Sequence, residues 1–294
     1  MPRFFALRWS LVLLACAGPQ MLAQAAPDKA ARAALETVLI PSASVQLNGL
    51  VYVAAGAGPH PAVVLLHGFP GNERNLDLAQ EIRRAGWDVL YFNYRGSWGT
   101  HGDFSFTHGV EDTAAAIAYL KQPAVAKKLR LDPARIVLIG HSVGGFNAVM
   151  AGSADASLQA VAIISAADMA GRIPQHLPKF AEGIARKKIA DALVTQGLEP
   201  LNGCTAESLA QDMLDHAAVW RFADHAKALA SRPFLAITSD DGNAQSNNEL
   251  AEAIRKDGDA NVAMLHLATD HSYSDKRLEL ATAVVDWLKS LPAK

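Results

Sequence analysis

Arg135-Ile136-Val137-Leu138-Ile139-Gly140-His141-Ser142-Val143-Gly144-Gly145 is the stretch on which the reading of this chain turns. The branched aliphatics at 136–139 have the length and composition of a buried parallel strand. A Gly-x-Ser-x-Gly segment follows without a gap, and a small-residue helix is expected over 146–151. A strand that runs into a helix through one serine forces that serine into a strained turn, and the flanking glycines leave room for the close approach of the two elements. The hydroxyl then stands at the tip of a sheet, above a helix N-terminus whose dipole favours developing negative charge. Taken alone, Ser142 also fits an N-cap after a glycine-rich turn. The strand–motif–helix context favours a nucleophile.

Outward from this segment, short apolar runs alternate with helical patterns. Residues 37–40 and 45–53 read as strands, the second interrupted at Asn48-Gly49. Residues 62–66 read as a central strand, 75–85 as a helix stopped by Gly86, and 87–93 as the next strand. A loop rich in glycine and aromatics, 94–106, precedes a helix over 110–120. Strands are expected at 161–165, 234–238 and 262–267, and an amphipathic helix over 282–288. This order implies an α/β fold, a mostly parallel sheet covered by helices on both faces.

One interval breaks the rhythm. Residues 171–232 carry helical patterning, as at 180–193 and 208–216, but no convincing strand. An insertion there is expected to sit over the strand ends as a helical cap, with Phe180, Ile184, Leu209, Met213, Trp220 and Phe222 buried. The remainder of 26–294 reads as one domain, with no internal repeat.

The chain has 294 residues, half of them hydrophobic, with 27 basic and 29 acidic side chains and no basic run. Nothing in this balance suits nucleic-acid binding. The N-terminus is a separate object. Arg3 and Arg8 precede an apolar run at 9–17, and Ala23-Gln24-Ala25 supplies small residues for cleavage. Residues 1–25 therefore read as an export signal, too short for a spanning helix, which leads to a periplasmic or secreted protein without stable membrane insertion. Leu13-Leu14-Ala15-Cys16 approximates a lipid-attachment site and offers the competing reading. After cleavage at Ala25 the remaining cysteine is Cys204, so no internal disulfide can form.

The serine segment and its surroundings resemble the α/β-hydrolase family from about Pro61 to Leu288, with the family's order of nucleophile, acid and histidine. Leu66-His67-Gly68-Phe69-Pro70-Gly71 looks like the family's oxyanion loop. The resemblance assigns the oxyanion donors to the N–H groups of Phe69 and Val143, whereas a plain Gly-Pro turn is the bland alternative. The pair Asp240-Asp241 follows the late strand at 234–238, where the family keeps its orienting carboxylate. Spacing favours Asp241, with Asp240 the runner-up and Asp168 a distant third. His271, in Asp270-His271-Ser272, occupies the general-base position. Of the other histidines, His141 is read as packing beside the serine and His67 as structural.

The resemblance thus implies a Ser142–Asp241–His271 triad. An unassisted serine is a poor nucleophile, an imidazole can take its proton, and a carboxylate fixes the imidazole's tautomer. The segment Tyr94-Arg95-Gly96 to Ser105 also looks like a loop of serine aminopeptidase-like and prolyl-oligopeptidase-like hydrolases, although a structural Arg95 explains it equally well.

The leading expectation is a serine hydrolase acting on small-molecule carboxylic esters. A peptidase on small peptides is the rival, and a non-catalytic ligand-binding relative stands in another class. An aminopeptidase would want a carboxylate cluster, but Glu182, Asp191, Glu199, Glu207, Asp212 and Asp215 are spread out as on solvated helix faces. Serine at 142, rather than Asp or Cys, disfavours dehalogenase and dienelactone-hydrolase chemistry. No motif calls for a metal or cofactor.

Overall fold

The computed structural model describes residues 31–292 except 172, 175–177 and 259–260; the expected export signal lies outside them. Among the described residues eight strands form one sheet in the order β1-β2-β4-β3-β5-β6-β7-β8. The strands are β1 (Ala34–Ser42), β2 (Val45–Val53), β3 (His60–Leu66), β4 (Asp88–Phe92), β5 (Leu131–His141), β6 (Ala160–Ile164), β7 (Phe234–Thr238) and β8 (Val262–His266). β1 and β2 run antiparallel to their neighbours, and every pairing from β4 onward through β3 to β8 is parallel. This is the α/β-hydrolase fold.

Burial explains why the central strands are continuous apolar runs. β4, β6 and β7 are buried at every position, because helices cover both faces. β1, at an edge, alternates instead, with Val38 and Ile40 inward and Leu39 outward. On one face pack α2 (Phe106–Leu120), α4 (Val143–Ala154) and α8 (Ala244–Asp257), through Ile117, Phe146 and Ile254 among others. On the other lie α1 (Leu76–Arg84) and α9 (Arg277–Ser290), through Ile82, Val284 and Trp287. α3 (Pro123–Leu129), begun by its N1 proline, connects α2 to β5. β3 leads sideways to β4, yet β5 returns to the far side of β3. The neighbours β3 and β5 thus bracket the topological switch point, where the strand ends open a crevice.

One sequence expectation is corrected here. Asn48-Gly49 does not interrupt β2 but lies inside it, opposite Leu39 and Val38. A Cβ on Gly49 would come within 2.9 Å of Val38 Cγ2 and 3.2 Å of Ile40 Cδ1, so the missing side chain accommodates β1 packing across it. The turn falls at 43–44 instead, with Ala43 at φ 48°.

Between β6 and β7 the chain forms α5 (Lys179–Val194), α6 (Ala206–Asp215), a short 3₁₀ turn (Phe222–His225) and α7 (Ala226–Leu229). α5 and α6 pack on each other, whereas α7 sits against α4 and α8 in the body of the sheet layer. The segment is fastened to the 94–106 loop by backbone bonds: Trp98 N–H to Pro200 O, Asn202 N–H to Gly96 O and Phe104 N–H to Asn202 O. Asp212 adds a clamp on the start of α2, accepting from the Thr107 N–H and hydroxyl. Leu209, Trp220 and Phe222 are buried, Trp220 edge-on to Phe146 at 5.0 Å, and Met213 is half-buried. Phe180 and Ile184 are not: they stand 84% and 72% exposed on the outer face of α5. Helical spacing alone could not tell which apolar stripe of α5 meets α6.

Arg95 proves to be structural. Its backbone N–H and Nε donate to the two Asp112 carboxylate oxygens at 2.8 and 2.7 Å, and Nη2 reaches Ser42 Oγ at 3.0 Å. Asp112 is fully buried, and Glu111 flanks the guanidinium at 3.0 Å. Breaking a buried pair strands the remaining charge. Asp112→Ala is therefore expected to cost about 3 kcal/mol, the low end of the usual range because Glu111 remains. Chemical denaturation checks this; an unchanged midpoint would mean that the backbone bonds to 200–202 hold the loop unaided.

Candidate active site

Ser142 follows directly on β5 and precedes α4, half-buried, with φ 57° and ψ −122°. That conformation strains an L-residue, and packing explains why it persists. The Ser142 carbonyl accepts from the N–H groups of Gly145, Phe146 and Ala167, and its own N–H donates to Ile164 O. A Cβ on Gly140 would lie 2.0 Å from Gly144 O, and one on Gly144 would lie 2.2 Å from Leu66 O. The two glycines let β3, β5 and α4 converge, and no side chain fits at either.

His271 and Asp241 meet around the ends of β7 and β8. His271 Nδ1 lies 2.6 Å from Asp241 Oδ2. The carboxylate accepts, so Nδ1 carries the proton and Nε2 is left as the basic nitrogen. The Asp241 carboxylate is 4% exposed. Burial works against its charge, but hydrogen bonds from His271, the Asn243 N–H and Ser165, together with the His271 charge, hold it well below the usual carboxylate range. Asp240 points the other way: it is exposed and faces His266 Nε2 at 3.2 Å. Asp168 has a different task. Its carboxylate, pushed up by burial and eased by backbone N–H groups of Gly171, Ala170 and Phe222, ties the start of the β6–β7 segment to its end. Of the three carboxylates, Asp241 alone meets His271.

Phe69 and Val143 flank the serine from β3 and α4. A Cβ placed on Gly68 would touch Ser142 Cβ at 2.8 Å, so the loop after β3 lies directly against Ser142. Val143 opens α4, where no intrahelical carbonyl serves its N–H. Among the described residues neither this N–H nor that of Phe69 donates to a backbone carbonyl. Both are available to an oxyanion. The half-buried Phe69 ring packs on Phe104 and Phe106 at 5.9 and 5.5 Å, an apolar wall beside those donors. His67 is buried and neutral, burial lowering it to about 4, and its Nδ1–H donates to Gly68 O at 2.8 Å. Ser142 Oγ is not hydrogen-bonded to His271 among the described residues; in a resting site such bonds are often long and tighten when substrate binds.

Several supporting residues escaped the sequence reading. Asn247 on α8, fully buried, bonds both the N–H and the C=O of Ala166 at 2.8 and 2.7 Å, fixing the bend after β6 that reaches Ser142. Ser165 (φ 45°) shares its hydroxyl with Ser239 at 2.9 Å and Tyr273 at 2.8 Å, a buried network beneath Asp241. Arg277 ties the histidine loop to the turn before α1, donating to Ser272 O at 2.9 Å, Asn75 Oδ1 at 3.0 Å and the Asp77 carboxylate. A polar residue on a helix normally signals a solvated face, so nothing in the linear pattern marked Asn247 or Arg277. No cluster of His, Cys, Asp or Glu suited to a metal ion occurs among the described residues.

A sequence model of the alpha/beta hydrolase family matches residues 63–283. A search of curated proteins finds no match. Similar solved structures include an esterase of Pyrobaculum calidifontis (19% identity, TM-score 0.65, 87% of this chain and 85% of that one). An esterase of Pyrococcus furiosus shares 16% identity at TM-score 0.63, over 89% of this chain and 92% of the other. An α/β hydrolase from Penicillium sp. sh18, GrgF, shares 16% at TM-score 0.67, over 88% and 99%. At these identities the likeness is one of fold.

The geometry separates the two adjacent aspartates. Asp241→Asn removes the charge that stabilises the imidazolium and offers an amide N–H where Nδ1 needs an acceptor, so kcat should fall by about 10⁴. Asp240→Asn should stay near wild type. Steady-state kinetics on both variants decides it, and the reverse ranking would transfer the orienting role to Asp240.

Proposed function

This chain belongs to the α/β-hydrolase family, and we propose that it is a serine hydrolase that cleaves carboxylic esters of small substrates through an acyl-enzyme. One observation carries the reading: the 2.6 Å bond between His271 and the buried Asp241 carboxylate, with the His271 ring 4.7 Å from that of His141, the residue before the strained Ser142. His271 Nε2 takes the proton as Ser142 Oγ attacks the ester carbon. The tetrahedral oxyanion lies toward the N–H groups of Phe69 and Val143, which are held in place before charge develops. Collapse expels the alkoxide, which leaves with the proton from His271. Water, activated by the same imidazole, then attacks the acyl carbon and frees Ser142.

Esters are favoured over peptides by what surrounds the site. An aminopeptidase needs a carboxylate set aside for the substrate ammonium. Here Asp168 is occupied by backbone N–H groups, Asp212 by Thr107, Asp191 by Lys187 and Asp215 by Gln211. The Phe69–Phe104–Phe106 wall suits a hydrocarbon acyl group. The names of two similar structures, both esterases, point the same way. A non-catalytic binding role has little use for an assembled acid–base pair. The β6–β7 segment, by its place next to these rings, is assigned the choice of acyl group. Residues 1–25 are assigned to export, to the periplasm or beyond, with cleavage at Ala25 preferred over lipidation at Cys16. Among the described residues no helix is long and apolar enough to cross a membrane.

A panel of p-nitrophenyl esters and aminoacyl-p-nitroanilides tests the proposal. Every active ester should show a higher kcat/KM than any anilide, and Ser142→Ala should lower kcat by roughly six orders of magnitude with the fold intact. Preference for an anilide with a free α-amine would make the protein a peptidase.

A further inference from the structure

The motif Gly-His-Ser-Val-Gly leaves one residue without a task in the reaction, His141. It is the last residue of β5, 3% exposed, directly before the nucleophile. Its Nε2 lies 2.8 Å from the backbone carbonyl oxygen of His271. The two imidazole rings face each other at 4.7 Å between centroids, tilted by 39°, and Tyr273 closes the far side edge-on at 6.4 Å. A carbonyl can only accept, so His141 donates from Nε2–H, and its Nδ1 is a buried lone pair without a hydrogen-bond partner among the described residues. Burial, followed by the positive charge at His271, keeps the ring neutral down to about 4; Arg277 adds to this and Asp241 opposes it.

A buried imidazole with one nitrogen unpaired is a costly filler, and a phenyl ring would fill the same space without an orphaned polar atom. What a phenyl ring cannot supply is the N–H to His271. We propose that His141 is a positioning residue, tying the backbone of the general base to the strand that carries the nucleophile.

The tie completes a three-point mount for His271. Asp241 fixes the ring through Nδ1, His141 holds the residue's own carbonyl, and Arg277 holds the next one, at Ser272. Of these three bonds, that of His141 is the one that connects the base to β5. Ser142 and His271 are thereby referenced to a single strand end, although they lie far apart in sequence. Because His141 is neutral, it does this without placing a second cation against the imidazolium that forms in each half-reaction. An arginine or lysine donor at this position would oppose that charge.

This inference rests on the serine-hydrolase reading, and the test separates the two. Wild type, His141→Phe and His141→Gln are compared by kcat and KM on one p-nitrophenyl ester, by the rate of fluorophosphonate labelling at Ser142, and by Tm. Phe keeps a ring without the donor; Gln keeps an N–H within reach of the carbonyl. His141→Phe should lower kcat and the labelling rate together by about tenfold to a hundredfold, the loss expected when a catalytic group shifts by about 1 Å, with KM little changed. His141→Gln should recover most of both, and a role in packing alone would not produce that recovery. Wild-type kcat in His141→Phe, or equal losses in both variants, overturns the proposal. Absence of labelling at Ser142 in the wild type overturns the serine-hydrolase reading itself, and this inference with it.

Discussion

Ser142 sits at φ 57° and ψ −122°, in a region that costs an L-residue about 1–3 kcal/mol and that the unfolded chain has no reason to visit. The surrounding structure holds it there. Its carbonyl is held by three N–H groups, and its own N–H reaches across to β6. β3 and β5 meet α4 at distances that only glycines at 140 and 144 permit. The hydroxyl is therefore presented at the switch point of the sheet by packing of backbone on backbone. Stability spent there returns as geometry: the Ser142 backbone has little freedom to move, and Val143 stands at the head of a helix, where its N–H has no intrahelical acceptor.

The rest of the site is arranged to bring loops from distant parts of the chain to that point. Each is anchored by a polar contact rather than by its own secondary structure. Asn247 clamps the bend after β6, the Ser165–Ser239–Tyr273 hydroxyls lie beneath Asp241, and Arg277 joins the histidine loop to the turn before α1. Asp168 plays the same part for the β6–β7 segment by gathering its two ends. Asn247 and the three hydroxyls are fully buried, where satisfied hydrogen bonds are strongest, whereas the Arg277–Asp77 pair lies nearer solvent. The Arg95–Asp112–Ser42 set does the equivalent for the loop that carries Phe104.

Much of this could be read from the linear pattern, for physical reasons. Central parallel strands are buried on both faces, so 62–66, 136–139 and 234–237 stand out as unbroken apolar runs. The strand–serine–helix turn is legible because tight backbone approach demands glycine at fixed offsets from the serine. Distance from the strand end favours Asp241 over Asp240, and the fold sets Asp241 2.6 Å from His271. What could not be read depends on contacts across the fold. Gly49 looked like a turn because its role is to make room for Val38 on another strand. Phe180 and Ile184 looked like core because periodicity identifies a stripe but not the face that finds a partner. Asn247 and Arg277 are polar residues on helices, and only the folded chain shows that they point at backbone groups of the site.

The proposed reaction requires Ser142 to form a covalent bond to substrate. The most direct measurement is mass spectrometry of protein quenched during turnover of a slowly deacylating p-nitrophenyl ester. A mass increase equal to the acyl group, on the peptide that carries Ser142 and absent from Ser142→Ala, is the result expected. Continued turnover with the adduct on another residue, or with the Ser142 peptide unmodified, would contradict it.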